Sequence, residues 1–448
     1  MKVKDYKPQI DGLRALAVIP VIFFHAGFGF FQGGYIGVDV FFVISGFLIT
    51  NLILKDLHKK KFNLSEFYIR RARRILPALL LVTFVSTIVS ILIMSPQELK
   101  FLSKQSISVV LFFSNFFFWK NTGYFDPNSE LQPLLHTWSL GVEEQFYIFF
   151  PIFLIIIWPL FKKKLVLFII IISLFSLALS QFGGNFKFQN LTIDYPFTKL
   201  PFELFWQAGS SNFYLPFGRI WELLAGSLVS IYTFKKKFKK NKDDSLLSLF
   251  GVILILISIF FFSKNLQYPS VFTILPVLGT VLILLFSNKS TFIYKIFSLK
   301  PLVFLGLISF SLYLWHQPLL VFNRIYFGIN LSLLHTFLII LVTFFLSILT
   351  WRFVETPFRN KKNINNKNVI IILILTSSLI LLISSLIFFS KIKSFQSYLP
   401  KNISESFQKT APDECFDIEM AHIIGNKWFC EIGDLSKDVS FAVVGDSH

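Results

Sequence analysis

Long apolar runs broken by short polar clusters set the pattern of this chain. The runs fall near 12–31, 36–54, 75–95, 145–161, 164–180, 217–234, 246–263, 271–287, 302–322, 331–351 and 369–389. A helix rising 1.5 Å per residue needs about 20 apolar residues to cross a bilayer, so the pattern predicts eleven transmembrane helices. A further apolar segment, 106–119, has only 14 residues. It is too short for a straight crossing and predicts an interfacial or re-entrant piece within 101–119. The expected fold class is an all-α polytopic membrane protein.

Charge fixes an expected orientation. Most of the net charge of +18 sits in clusters at 55–61, 70–74, 162–164, 235–242 and 352–367. With the N-terminus in the cytoplasm and 101–119 not crossing, every one of these clusters falls inside, as the positive-inside rule requires. The cation-poor segments 120–144 and 181–216 then fall outside, and the odd count carries the C-terminal tail outside. The basicity is thereby accounted for by membrane orientation, and no nucleic-acid partner is expected. The partner implied is the lipid bilayer.

Composition agrees. Hydrophobic residues make up 54% of the chain and charged residues 15%, against about 25% charged in ordinary soluble domains. A free cytosolic enzyme and a disordered chain are excluded. Nine arginines stand against 34 lysines, which points to sites where a planar, five-donor guanidinium is required. The tail 390–448 is polar and holds both cysteines, Cys415 and Cys430. Their placement in an outside segment predicts a disulfide, with two unpaired thiols as the alternative.

Ionisable groups inside apolar runs are costly and mark function. The first run carries Arg14 and His25 on one face, three turns apart, and His is suited to proton transfer near neutrality. Asp39 opens the second run and needs a partner, for which His25 is one choice. Arg70, Arg71, Arg73 and Arg74 precede the third run, a cluster suited to a phosphorylated ligand or to lipid headgroups. His136, Trp138, Glu143 and Glu144 gather at the entry to the fourth, Arg219 and Glu222 form an expected ion pair, and His316 lies at a depth similar to His25. No set of metal ligands is apparent.

Five boxes carry a resemblance: Ile10-Asp11-Gly12-Leu13-Arg14 with His25; Gly34 to Gly46; Arg70 to Pro77; Trp138 to Tyr147; and Tyr313-Leu314-Trp315-His316. In this order they resemble the membrane acyltransferase-3 family, bacterial O-acyltransferases that decorate cell-surface polysaccharides. The resemblance implies a ten-helix acyltransferase domain over 5–360, a linker at 361–368, an additional helix at 369–389, and an extracytoplasmic tail at 390–448. There Gly445-Asp446-Ser447 resembles the nucleophile block of an SGNH-type α/β domain, truncated here after its first strand. It further implies that Arg14 and His25 serve acyl transfer, and that Arg70/Arg73 or the equally spaced Arg71/Arg74 meet the phosphates of acetyl-CoA, the donor substrate. His25, oriented by Asp39, Glu143 or Glu144, is the expected base or acyl carrier, Ser447 the nucleophile of the longer domain, and His136, Trp138 and His316 substrate contacts. The expected acceptor is a surface glycan such as lipopolysaccharide O-antigen, with peptidoglycan as the alternative. A proton-coupled transporter using His25, Asp39 and His316, or a scaffold that anchors the tail, are the rival readings from other classes.

Overall fold

The computed structural model describes residues 6–121, 131–161, 164–182, 208–235, 243–328 and 331–393. These are helical over most of each expected run, although the helix of the first run, 12–31, ends at His25 and turns over residues 26–28. The first is α1 (Pro8–His25), followed by α2 (Gly37–His58), α3 (Leu64–Ile93), α4 (Pro96–Val110), α5 (Ser114–Asn121), α6 (Thr137–Phe161) and α7 (Leu165–Phe182). Then come α8 (Ala208–Tyr214), α9 (Ile220–Lys235), α10 (Asp244–Phe261), α11 (Ile274–Phe286), α12 (Phe292–Phe297), α13 (Lys300–Phe327), α14 (Leu333–Thr350), α15 (Thr356–Arg359) and α16 (Asn366–Phe388). Eight helices among the described residues are long and apolar enough to cross a membrane, and the shorter apolar helices Ile220–Phe234 and Val271–Phe286 account for two more runs. The remaining run is α1, whose 18 residues include Asp11, Arg14 and His25. The chain is a multi-pass, all-α membrane protein. Cys415, Cys430 and Ser447 lie outside the described residues.

The segment at 101–119 is a broken helix rather than one span. α4 stops in a turn where Phe112 takes φ +59°. There Phe113 N–H donates to the Ser108 carbonyl and Phe112 N–H to that of Val109, the paired bonds that close a helix with a left-handed residue. α1 ends the same way at Gly27, α2 at Lys60 and α16 at Ser390. Helix starts are equally local: Asn63 accepts from Glu66 N–H, and Ser95 with Glu98 forms a reciprocal cap on α4.

Two close helix pairs organise the core. α1 and α13 lie side by side in parallel, with Gly306 against the Asp11 carbonyl at one end and Arg324 against the His25 carbonyl at the other. A Cβ at Gly306 would overlap the Asp11 carbonyl oxygen. α2 crosses α9 where Gly46 meets the Leu223 carbonyl. Small residues at such crossings let backbones approach, which in lipid is the main source of helix association. A π turn at Trp351–Glu355 continues α14 and brings Glu355 inward, where it accepts from Ser311 and pairs with Arg359.

Candidate active site

α1, α2, α3, α6 and α13 enclose a cavity that ends at Arg14, Arg71 and Arg74 on one side and at Ser139 and Tyr313 on the other. Arg14 pairs with Asp11 at 3.4 Å, one turn earlier on its own helix. Tyr6, outside the membrane, donates to the other oxygen of Asp11 at 2.8 Å. Burial, then the Asp11 carboxylate, pushes that phenol up to about 12, so it stays a donor across the physiological range. Midway along the cavity Glu143 accepts from Ser45 at 3.0 Å and from Tyr147 at 3.2 Å.

The four-arginine box divides by helical face. Arg71 and Arg74 line the cavity, and neither makes a salt bridge among the described residues. The Nε of Arg71 is buried without a hydrogen-bond partner. Arg70 instead pairs with Asp56 at 3.0 Å and Glu66 at 3.5 Å. Arg73 points the other way and holds α16 in place. It donates to the carbonyls of Phe358 at 2.7 Å and Ile364 at 2.6 Å, and to Asn366 Oδ1 at 2.9 Å. Of the two equally spaced pairs, Arg71/Arg74 therefore faces the cavity and Arg70/Arg73 does not. Arg73→Ala is expected to destabilise the docking of α16 by roughly 1.5–3 kcal/mol, the worth of a charge-assisted hydrogen bond. Faster hydrogen exchange in residues 360–370, with the cavity helices unchanged, is the measurement; unchanged exchange there would remove Arg73 from this role.

Beyond the cavity, the Tyr313 hydroxyl meets Ser139 Oγ at 2.7 Å and donates to the His136 carbonyl at 2.9 Å. Its ring lies 5.4 Å from those of both His136 and His316. His25 stands beyond them, 5.1 Å from His316 between ring centroids. Tyr313 thus separates the arginine-lined cavity from a cluster of three imidazoles contributed by α1, α13 and the turn before α6.

Among the described residues, no carboxylate orients His25. Its Nδ1 bonds the Val21 carbonyl at 2.9 Å, and since a carbonyl only accepts, Nδ1 carries the proton and Nε2 presents the lone pair in the neutral ring. Arg324 fixes the end of the helix by donating to the His25 carbonyl at 2.5 Å. Asp39, expected near His25, pairs instead with Arg219 at 2.6 Å and accepts from Tyr268. Arg219 also holds Glu222 at 3.0 Å, the pair the sequence predicts. Trp138 is packed against Phe213 and Tyr214 and lies under the Arg219 guanidinium at 5.5 Å, which places it in this buried network and outside the cavity. Glu144 is buried beside Glu143 but does not line the cavity. Arg324, Tyr313 and Ser139 are the site residues that sequence reasoning passed over. The signal for Arg324 was there: it lies eight residues, about two turns, after His316 on a helix otherwise free of arginine.

The family model for the acyltransferase domain, acyltransferase-3, matches residues 7–352. The peptidoglycan O-acetyltransferase OatA of Listeria monocytogenes is 34% identical over 373 residues, which cover 81% of this chain and 57% of the relative. The O-acetyltransferase OatA of Staphylococcus aureus is 32% identical over 367 residues, covering 80% and 58%. The chain thus spans less than three fifths of the length of these relatives. No solved structure matches it. With the match running through every helix that builds the cavity and the imidazole cluster, this chain belongs to the acyltransferase-3 family.

Proposed function

We propose that this chain performs the membrane-embedded part of an O-acetyl transfer, from cytoplasmic acetyl-CoA to hydroxyls of peptidoglycan on the other side of the membrane. The observation that carries the reading is the placement of two guanidinia, Arg71 and Arg74, without a salt bridge among the described residues, on a cavity that closes at Tyr313, with the His136, His316 and His25 imidazoles packed in succession behind that ring. Unpaired guanidinia at the rim of a cavity suit the phosphates of a nucleotide donor, which they bind in a bidentate manner. Arg14 and His25, eleven residues apart on one helix, are separated by roughly 16 Å at 1.5 Å per residue, a distance suited to an extended thioester arm. His25 Nε2 takes the proton of the attacking hydroxyl as its oxygen bonds to the acyl carbon. The C–S bond breaks, and the proton passes on to the departing thiolate. A thioester is already activated, so positioning and a base are sufficient. Peptidoglycan is preferred to lipopolysaccharide because the Listeria relative is named for that substrate.

The test is base-labile acetate on separately purified surface glycans, from cells with and without the intact full-length gene. Gene-dependent acetate on peptidoglycan is expected. Acetate on lipopolysaccharide or exopolysaccharide would reassign the acceptor, and no gene-dependent acetate anywhere would remove the transfer reading. The donor end has its own check. Replacing Arg71 and Arg74 together by alanine is expected to raise the KM for acetyl-CoA at least about tenfold, the loss of one charge-assisted hydrogen bond or more. The Arg70→Ala variant is expected to leave it within twofold.

A further inference from the structure

The imidazole cluster holds more hydrogen-bond acceptors than the protein can match. His136 and His316 are fully buried. His316 Nδ1 bonds the Tyr313 carbonyl at 2.7 Å, so, as in His25, that nitrogen carries the proton and Nε2 presents a lone pair. His316 Nε2 is buried without a partner, and the His136 ring, with the carbonyls of Leu314 and Pro133 beside it, makes no hydrogen bond of good geometry. Buried polar atoms are almost always satisfied, and a cluster of exceptions calls for a ligand or water. Among the described residues, no group of three or more His, Cys, Asp or Glu is arranged to hold a metal ion. Two lone pairs from rings 5.1 Å apart are complemented by closely spaced O–H donors. A carboxylate or phosphate would oppose lone pair with lone pair.

We propose that His316 and His136, together with His25, form the acceptor subsite, and that its ligand is a polyol presenting neighbouring hydroxyls, as a sugar ring does. One hydroxyl, the one to be acylated, donates to His25 Nε2. A neighbouring hydroxyl donates to His316 Nε2, and the neutral His136 ring offers one further acceptor. This rests on the acetyl-transfer reading and adds what binds at its far end. His316 and His136 act here by binding and orienting the acceptor, while the proton is taken by His25.

The experiment uses the full-length protein in lipid nanodiscs, radiolabelled acetyl-CoA, and a soluble N-acetylglucosamine oligosaccharide as acceptor. His316→Phe keeps a planar ring of similar bulk and removes the lone pair. Its KM for the oligosaccharide is expected to rise about tenfold, the loss of one buried hydrogen bond, with acetyl-CoA affinity within twofold of wild type. His316→Gln, whose side-chain carbonyl can accept in the same region, is expected to recover most of the loss. An unchanged acceptor KM in His316→Phe would overturn the proposal. So would an acetyl-CoA affinity that falls in step with it, or label appearing on the protein's own serines rather than on the sugar. Failure of the underlying transfer reading is separately visible, as a wild-type protein that moves no acetate.

Discussion

The His25→Ala variant is expected to lose acetyl transfer by about 10²- to 10⁴-fold, the usual contribution of a positioned general base, while still folding and binding acetyl-CoA. The expectation follows from how the residue is held. Its ring is fixed by a bond to the Val21 carbonyl one turn earlier, so alanine removes the base without orphaning a charged partner. The Arg324 contact that seals this end of α1 goes to the His25 backbone carbonyl and survives the substitution. The proposed donor contacts, Arg71 and Arg74, line the cavity, which His25 does not. A fall in kcat at saturating acetyl-CoA, with donor affinity and the thermal unfolding midpoint retained, is the predicted pattern. Transfer within a few-fold of wild type would take His25 out of the chemistry and return the transporter reading to consideration.

Arg219→Leu is expected to lower stability by about 3–5 kcal/mol, the cost of breaking a buried ion pair by removing one partner. Arg219 is fully buried, bonded to Asp39 at 2.6 Å and Glu222 at 3.0 Å, with the Phe213 carbonyl at 3.3 Å. Its guanidinium also packs over the rings of Phe213 at 4.7 Å and Tyr268 at 5.2 Å. Leucine would leave two carboxylates facing one another in an apolar surrounding. Lysine would fare little better, because a single ammonium cannot reproduce the planar fork that reaches both carboxylates and a carbonyl. A version with Asp39→Asn and Glu222→Gln beside Arg219→Leu removes the stranded charges and is expected to recover much of the loss. The check is the unfolding midpoint of purified protein. Wild-type stability in the single variant would show that this network does not hold α2 to α9. The same network means that Asp39→Asn should act through stability, with the acetyl-CoA KM of the folded fraction unchanged.

Helix existence, the membrane setting and the family were all legible in the chain. Each depends on local composition or on short-range motifs: apolar runs about 20 residues long, caps such as Asn63 and Ser95, and boxes such as Trp138 to Tyr147. The placement of Arg14 near one end of α1 and His25 at the other was equally a matter of counting turns. The break in 101–119 was legible only as a shortage of length, because nothing in its composition requires a left-handed Phe112.

Partner choice was another matter. A carboxylate such as Asp39 announces that it needs a counterion, but the sequence holds no information on which one until helices 180 positions apart are laid side by side. Periodicity likewise assigned Arg70/Arg73 and Arg71/Arg74 equal standing, since both pairs share a spacing. Only the packing of α16 against one face of α3 turned Arg73 into an anchor and left Arg71 and Arg74 to the cavity. The sequence alone determined that this chain crosses the membrane many times, which residues it takes there at a cost, and to which family it belongs. The tertiary structure decided which of those residues neutralise one another, as Asp39 and Arg219 do, and which remain unmatched, as His316 Nε2 does. The physical reason is that desolvation is a property of a residue and its local run, whereas a hydrogen-bond partner in a helical bundle is supplied across helix faces whose neighbours no local pattern encodes.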